Sequence, residues 1–162
     1  MFIFFISFVI LSRIGELVLS RRNEKWLLQN GAVEYGKEHY PFIVALHILF
    51  FISLILEYLK QKDHSYSLFL LIFYFLLLAC KAWVIISLGK FWNTKIYRIT
   101  SLPLIHSGPY KYFKHPNYIL VMAEIAIIPL VFRLYYTAII FIPLNAIILL
   151  IRIKGENKAL QV

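Results

Sequence analysis

Apolar residues run through this chain in long blocks, without the period-two alternation of half-buried strands. Residues 2–19, 42–59 and 67–88 are blocks of spanning length, and a fourth stretch runs from 118 to 151. A helix needs about 20 mostly apolar residues, at ~1.5 Å rise each, to cross a bilayer core. The last stretch is too long for one crossing and is interrupted by Pro129 and Arg133, which predicts two helices over 117–132 and 134–151. The fourth is short, and a re-entrant hairpin is the alternative there. Backbone groups in hydrocarbon must be satisfied within each span, and without barrel-like alternation only helices do this. The predicted fold class is therefore all-α. It is an integral membrane bundle of about five transmembrane helices, in one domain over residues 1–162.

Composition agrees. Apolar residues make up 61% and charged residues 15%, against about 45–50% and about 25% in soluble domains. Disorder, collagen-like repeats and a disulfide scaffold are excluded. The single cysteine, Cys80, has no internal partner and reads as a small buried hydrophobe. The net charge of +9 points to an anionic membrane face, with membrane lipids as surroundings, and not to nucleic acid.

No basic region precedes the first apolar block; Arg21, Arg22 and Lys25 follow it. That order is the reverse of a secretory signal and reads as a retained helix. Lys and Arg concentrate in segments 20–40 and 89–116 and in the tail, while segments 60–66 and 133 carry few. The positive-inside rule then places the N-terminus outside and the C-terminus in the cytoplasm.

Several polar residues fall inside the spans. Arg13 and Glu16 are three apart on the first helix, read as an ion pair or as a wall of a substrate cavity. Lys81 and Glu57 lie near helix ends and are expected to snorkel. His47 is expected to be packed and hydrogen-bonded, and Asn145 to join helices. Glu124, two turns into the fourth helix, fits a structural or a functional role.

No Rossmann glycine pattern, Walker loop, HExxH or serine elbow is present, and no metal site is predicted. The most specific stretch is residues 101–118, SLPLIHSGPYKYFKHPNY. Gly108-Pro109 marks a turn. The residue before proline avoids helical dihedrals and proline favours the first helical position, so His115 is the expected N-cap and Pro116 starts the fourth helix. Free N–H groups there favour an anion, and Tyr110, Tyr112, Phe113 and Tyr118 supply aromatic faces for a base or a cation. An ordinary interfacial belt of Tyr and Lys would have the same composition. In the tail, Arg152 and Glu156 share a helical face if the fifth helix continues past the membrane. They form a solvated pair, or each holds a different ligand.

GPYKYFKHPNY followed by an apolar hairpin and RIKGEN resembles the isoprenylcysteine carboxyl methyltransferase family. That family carries Gly-x-Tyr, then Arg-His-Pro-x-Tyr, then Arg-Ile-x-x-Glu-Glu. LGKFWNTKIYRITSLPLIHSGPY and RRNEKWLLQNGAVEYGKEHYP look like its bacterial branch that methylates alkylpyrones and alkylresorcinols. The resemblance implies an integral membrane O-methyltransferase using S-adenosylmethionine without a Rossmann fold. By motif position the cofactor would meet Leu102, Pro103, Leu104, Ile105, Tyr110, His115, Pro116, Asn117, Tyr118 and Glu156, within a cofactor loop over 89–118. Arg152 would position the substrate and Glu156 would complete the catalytic site. Lys114 stands where the family has Arg, and Asn157 where it has a second Glu; the latter, with the short tail, bears on how the tail closes the site.

The expected acceptor is a lipophilic acid, either an alkylpyrone or phenolic polyketide lipid or a C-terminal prenylcysteine. It would enter laterally from the bilayer, with the cofactor coming from the cytoplasm. An acceptor that is already an anion needs no strong base, so no catalytic triad is expected. A non-enzymatic membrane carrier is the competing reading from another class, and cofactor binding separates it from both enzymes.

Overall fold

The computed structural model describes residues 1–161. Five helices dominate it: α1 Phe2–Gln29, α2 Tyr40–Lys60, α3 Leu68–Leu88, α4 Pro116–Val131 and α5 Tyr135–Leu160. All except α4 are long and apolar enough to cross a membrane, so the chain is a multi-pass membrane protein. α4 has 16 residues.

Helix ends follow local chemistry. α1 runs ten residues past its apolar block, because Arg, Glu, Lys, Leu and Gln after Leu19 are good helix formers. It stops at Asn30-Gly31, with Gly31 left-handed at φ 78°. Pro41 occupies the first turn of α2, where its missing N–H costs nothing. The Ser67 hydroxyl accepts from the Leu70 N–H and caps α3. Pro129 lies within α4 and does not break it; the turn falls at Phe132–Leu134, where Arg133 adopts φ 57°. Glu57 does not snorkel. Its carboxylate accepts from the backbone N–H groups of Tyr136 (3.0 Å) and Thr137 (2.7 Å) and so closes the N-terminus of α5. A carboxylate there meets both the free donors and the positive end of the helix dipole.

The main core gathers Phe2, Phe5, Val9, Phe50, Leu54, Tyr74, Ile128, Phe132 and Leu134. Large apolar side chains such as Phe4, Phe69, Ile86 and Ile139 point outward, as a lipid-facing surface requires. Cys80 is among the exposed residues, not a buried hydrophobe.

One element departs from all-α. β1 Val33–Tyr35 and β2 Ile96–Arg98 pair antiparallel, with Glu34 opposite Tyr97. This ribbon ties the two long loops together and packs on the end of α5, where Ile96 lies against Gly155. A second, smaller core of Leu27, Ala32 and Ile99 lies beside it. The ribbon holds the functional loop at the same end of the bundle as the last turns of α5.

Candidate functional site

The loop after α3 is fastened to the polar end of α1. The Asn23 amide donates to the carbonyls of Gly89 (3.1 Å) and Trp92 (2.7 Å). The Ser20 hydroxyl meets Asn93 and accepts from the Thr94 N–H (3.0 Å). Lys95 and the Tyr97 hydroxyl both donate to Glu24, at 2.7 and 2.6 Å. The hydrogen bond to the Glu24 carboxylate raises the Lys95 ammonium pKa, and burial with two nearby carboxylates pushes the Tyr97 phenol up. None of this latch was predicted. Its residues, Ser20, Asn23, Glu24, Asn93 and Thr94, read individually as a helix end and a loop. Polar residues one turn apart at the mouth of α1 were the only local signal.

Farther along, Gly108 sits at φ 56°, and a β-carbon there would fall on the Ser87 side chain and crowd Trp83. The Ser107 hydroxyl donates to the Ser87 carbonyl at 3.3 Å. Only glycine lets the loop lie against the end of α3 at this point.

His115 is the N-cap of α4 by backbone position, with Pro116 next, but its side chain does not cap the helix. It reaches α5 instead. Nδ1 lies 3.1 Å from Glu156 Oε2, and Nε2 lies 3.2 Å from Asn157 Oδ1. A carboxylate in ionic contact with one ring nitrogen and an amide oxygen hydrogen-bonded to the other favour the doubly protonated imidazolium. The pKa of His115 is accordingly raised, chiefly by its contact with Glu156. Burial, with the same carboxylate nearby, raises the Tyr110 phenol. One turn into α4, the Tyr118 hydroxyl accepts from Arg152 Nε at 2.9 Å, and the Arg152 guanidinium also donates to the Thr94 carbonyl. The loop and the start of α4 that follows it therefore close on the end of α5, more than 30 residues away.

They border two adjacent cavities. A small polar one, about 90 Å³, is bordered by Trp92, Tyr110, His115, Asn117, Tyr118 and Glu156. A larger apolar one, about 280 Å³, runs between α1, α2, α4 and α5. Trp92, Asn117, Tyr118 and Arg152 border both. Five side-chain atoms around the polar cavity are buried without a hydrogen-bond partner among the described residues: the indole Nε1 of Trp92, the carboxamide Oδ1 of Asn117, Nε of Arg98, and His115 Nδ1 with Glu156 Oε2, which face each other as an ionic contact only. Beyond the polar cavity an open cleft of about 500 Å³ shares Tyr110 and Glu156 with it and is lined by Pro103, Leu104 and Ile105. Leu102 lies outside all three spaces, its carbonyl accepting from Arg98. Tyr112 and Phe113 are exposed at the cleft rim.

Deeper in the bundle the ionic residues form a closed ring. Arg13 contacts Glu16 (3.0 Å) and Glu124 (2.5 Å); Lys81 contacts Glu16 (3.1 Å) and Glu124 (2.6 Å). Lys81 was expected to snorkel, yet it is 1% exposed. Two carboxylates inside the bundle give its ammonium closer partners than the interface would. Arg13 and Glu16 border the apolar cavity and Glu124 does not. Asn145 joins α5 to α4 as expected, but weakly: among the described residues its amide donates only to the Met122 sulfur, at 3.8 Å. His47 is hydrogen-bonded as expected, to the Ile43 carbonyl at 2.8 Å. Among the described residues, no group of three His, Cys, Asp or Glu side chains could hold a metal ion.

A sequence model of the isoprenylcysteine carboxyl methyltransferase (ICMT) family matches residues 69–162, more than half of the chain. The uncharacterized protein YpbQ of Bacillus subtilis (strain 168) is 42% identical over 163 residues, covering 99% of this chain and 97% of its own. An uncharacterized protein of Haemophilus influenzae is 33% identical over 155 residues, covering 92% and 88%. No solved structure matches the chain.

Proposed function

The chain belongs to the isoprenylcysteine carboxyl methyltransferase family and is a membrane methyltransferase; we propose that it transfers the methyl group of S-adenosylmethionine to an acidic oxygen of a lipophilic acceptor, at the junction of the two cavities. Methyltransferases of this family use S-adenosylmethionine. The observation that carries the reading is the shared border of a polar and an apolar cavity at Trp92, Asn117, Tyr118 and Arg152.

The polar side suits the cofactor. The unpartnered Asn117 oxygen and Trp92 N–H offer an acceptor and a donor, which match an amino acid's ammonium and carboxylate. The polar cavity of about 90 Å³ is smaller than the ~300 Å³ lower bound for small-molecule pockets. The nucleoside would therefore extend into the cleft lined by Pro103, Leu104 and Ile105, past Tyr110 and Glu156. When bound, the cofactor supplies an electrophilic methyl on a positively charged sulfur, which leaves as a neutral thioether. The π faces of Tyr110 and Tyr118 suit that charge. His115 joins the start of α4 to α5 beside this space; Pro116 is buried next to it and borders none of the three spaces.

On the other side, Arg152 faces both cavities with two of its donors committed to Tyr118 and Thr94. Its guanidinium is held in one orientation and presents positive charge to an anionic acceptor oxygen. Orientation of this kind accounts for up to about 7–11 kcal/mol of a barrier in favourable cases, so an acceptor already ionised needs no general base. Ile14, Leu17, Val44 and Ile48 line the apolar cavity and are also exposed on the lipid-facing surface. The acceptor's tail would pass between α1 and α2 into the bilayer. The basic loops and tail support a cytoplasmic site, reached by the cofactor from that side.

Two acceptor classes fit this chemistry, an alkylpyrone or phenolic lipid and a prenylcysteine carboxylate. The resemblance of both long loops to the alkylpyrone branch supports the first, and the family description supports the second. Incubating the purified chain with S-adenosylmethionine labelled at the methyl, with each acceptor in turn, decides between them. Labelling of neither, with no heat of S-adenosylhomocysteine binding, removes the enzyme reading and leaves a carrier.

A further inference from the structure

The apolar cavity has a polar inner end that methyl transfer at Arg152 does not use. Asn145 lies seven residues before Arg152 on α5, two turns or about 10 Å at ~1.5 Å per residue. It is 1% exposed, lines the cavity, and has only the thioether of Met122 beside it, at 3.8 Å. A thioether is a weak acceptor. The Ser53–Thr137 hydroxyl contact (2.8 Å) sets α2 and α5 in an antiparallel register that brings His47 to the level of Asn145. His47 also lines the cavity. Its Nδ1 must donate to the Ile43 carbonyl, at 2.8 Å, which leaves Nε2 as a lone-pair acceptor in the neutral ring, without a partner among the described residues.

Arg13 and Glu16 complete this inner end. Each is committed to the ionic ring, whose two cations and two carboxylates balance. A further charge placed here would be unpaired in a low-dielectric site and costly. A neutral group suits it. Nε2 of His47 needs a donor and the Asn145 amide needs an acceptor. A hydroxyl is both; a ketone or ether oxygen is only the second.

We propose that the acceptor is a bipolar lipid: an acidic group at Arg152 and, about 10 Å deeper along its tail, a neutral hydroxyl held between His47 and Asn145. This rests on the methyltransferase reading for the outer end and adds the substrate feature read by the inner one.

The test titrates the purified full chain with a fatty acid and its monohydroxylated isomers, the hydroxyl stepped along the tail, with and without S-adenosylhomocysteine. One mid-tail position should bind about tenfold more tightly than the unsubstituted acid and the other positions no better. His47→Phe and Asn145→Leu should each collapse that ratio towards one, and His47→Gln should retain part of it. A flat series in the unaltered chain, which involves no variant, would assign these side chains to cavity water and overturn the proposal; so would a preference that survives both substitutions. Absence of S-adenosylhomocysteine binding alone would remove the enzyme reading, while the hydroxyl series still reports on the cavity.

Discussion

Nε of Arg152 donates to the phenolic oxygen of Tyr118 at 2.9 Å, joining residues 34 positions apart at the point where the polar and apolar cavities meet. The guanidinium also donates to the Thr94 carbonyl, and Thr94 is held by Ser20. The orientation of one cation therefore depends on α1, the long loop, α4 and α5 together.

Arg152→Ala should lower methyl transfer by about 10–100-fold, the equivalent of the ~1.5–3 kcal/mol associated with a hydrogen bond to a charged group. S-adenosylhomocysteine affinity, measured by calorimetry, should change little, because Asn117, Trp92 and the cleft remain. Full turnover in this variant would remove Arg152 from substrate positioning.

The His115–Glu156 contact predicts a pH dependence of stability. The folded pKa of His115 is raised above the unfolded value, about 6.5 for free histidine. The folded state therefore binds the proton more tightly, and the added stability is fully present below pH about 6.5. It is lost as pH rises through the raised folded value. The thermal midpoint of the unaltered chain should exceed that of His115→Phe most at low pH, and the gap should narrow as the solution is made basic. A gap that widens with pH contradicts the assignment.

Within the bundle, Lys81→Met leaves Glu16 and Glu124 with a single cation, Arg13. Breaking one partner of a buried ionic network costs about 3–5 kcal/mol, and denaturant titration in detergent should show a loss of that order. The double variant Lys81→Met with Glu124→Gln restores charge balance and should recover part of it. Equal losses in the two variants would mean that the ring is not coupled.

Gly108→Ala should detach the loop from α3. A non-glycine residue at this positive φ costs about 1–2 kcal/mol, and the added carbon collides with Ser87 as well. Faster proteolysis between residues 100 and 115, with the helices intact by circular dichroism, is the expected outcome; unchanged proteolysis would show that the loop docks by other contacts.

The spans were legible because hydropathy acts locally: each apolar block declares a helix whatever its neighbours do. Pro116 likewise announced the start of α4, since proline restricts the chain on both sides of itself. The ribbon of Val33–Tyr35 with Ile96–Arg98 was not legible, because three-residue strands carry no period and pair across more than 60 residues. Lys81 and Glu57 were read as snorkelling from their nearness to helix ends. Their partners, Glu124 and the N-terminus of α5, are distant in sequence.

The sequence by itself determined that the chain crosses a membrane in apolar helices, and which stretch, running from the loop into the start of α4, carries Tyr110, His115 and Asn117. Dihedral preference and transfer from water depend on the residue and its near neighbours, so these were readable locally; that Arg152 and Glu156 share a helical face needed α5 to continue to Leu160. Tertiary structure alone decided that His115 meets Glu156, that Arg152 meets Tyr118, and that Lys81 is buried in a ring of opposite charges. Charges and hydrogen-bonding groups in a low-dielectric interior take whichever partner packing brings close, and packing is a property of the whole bundle.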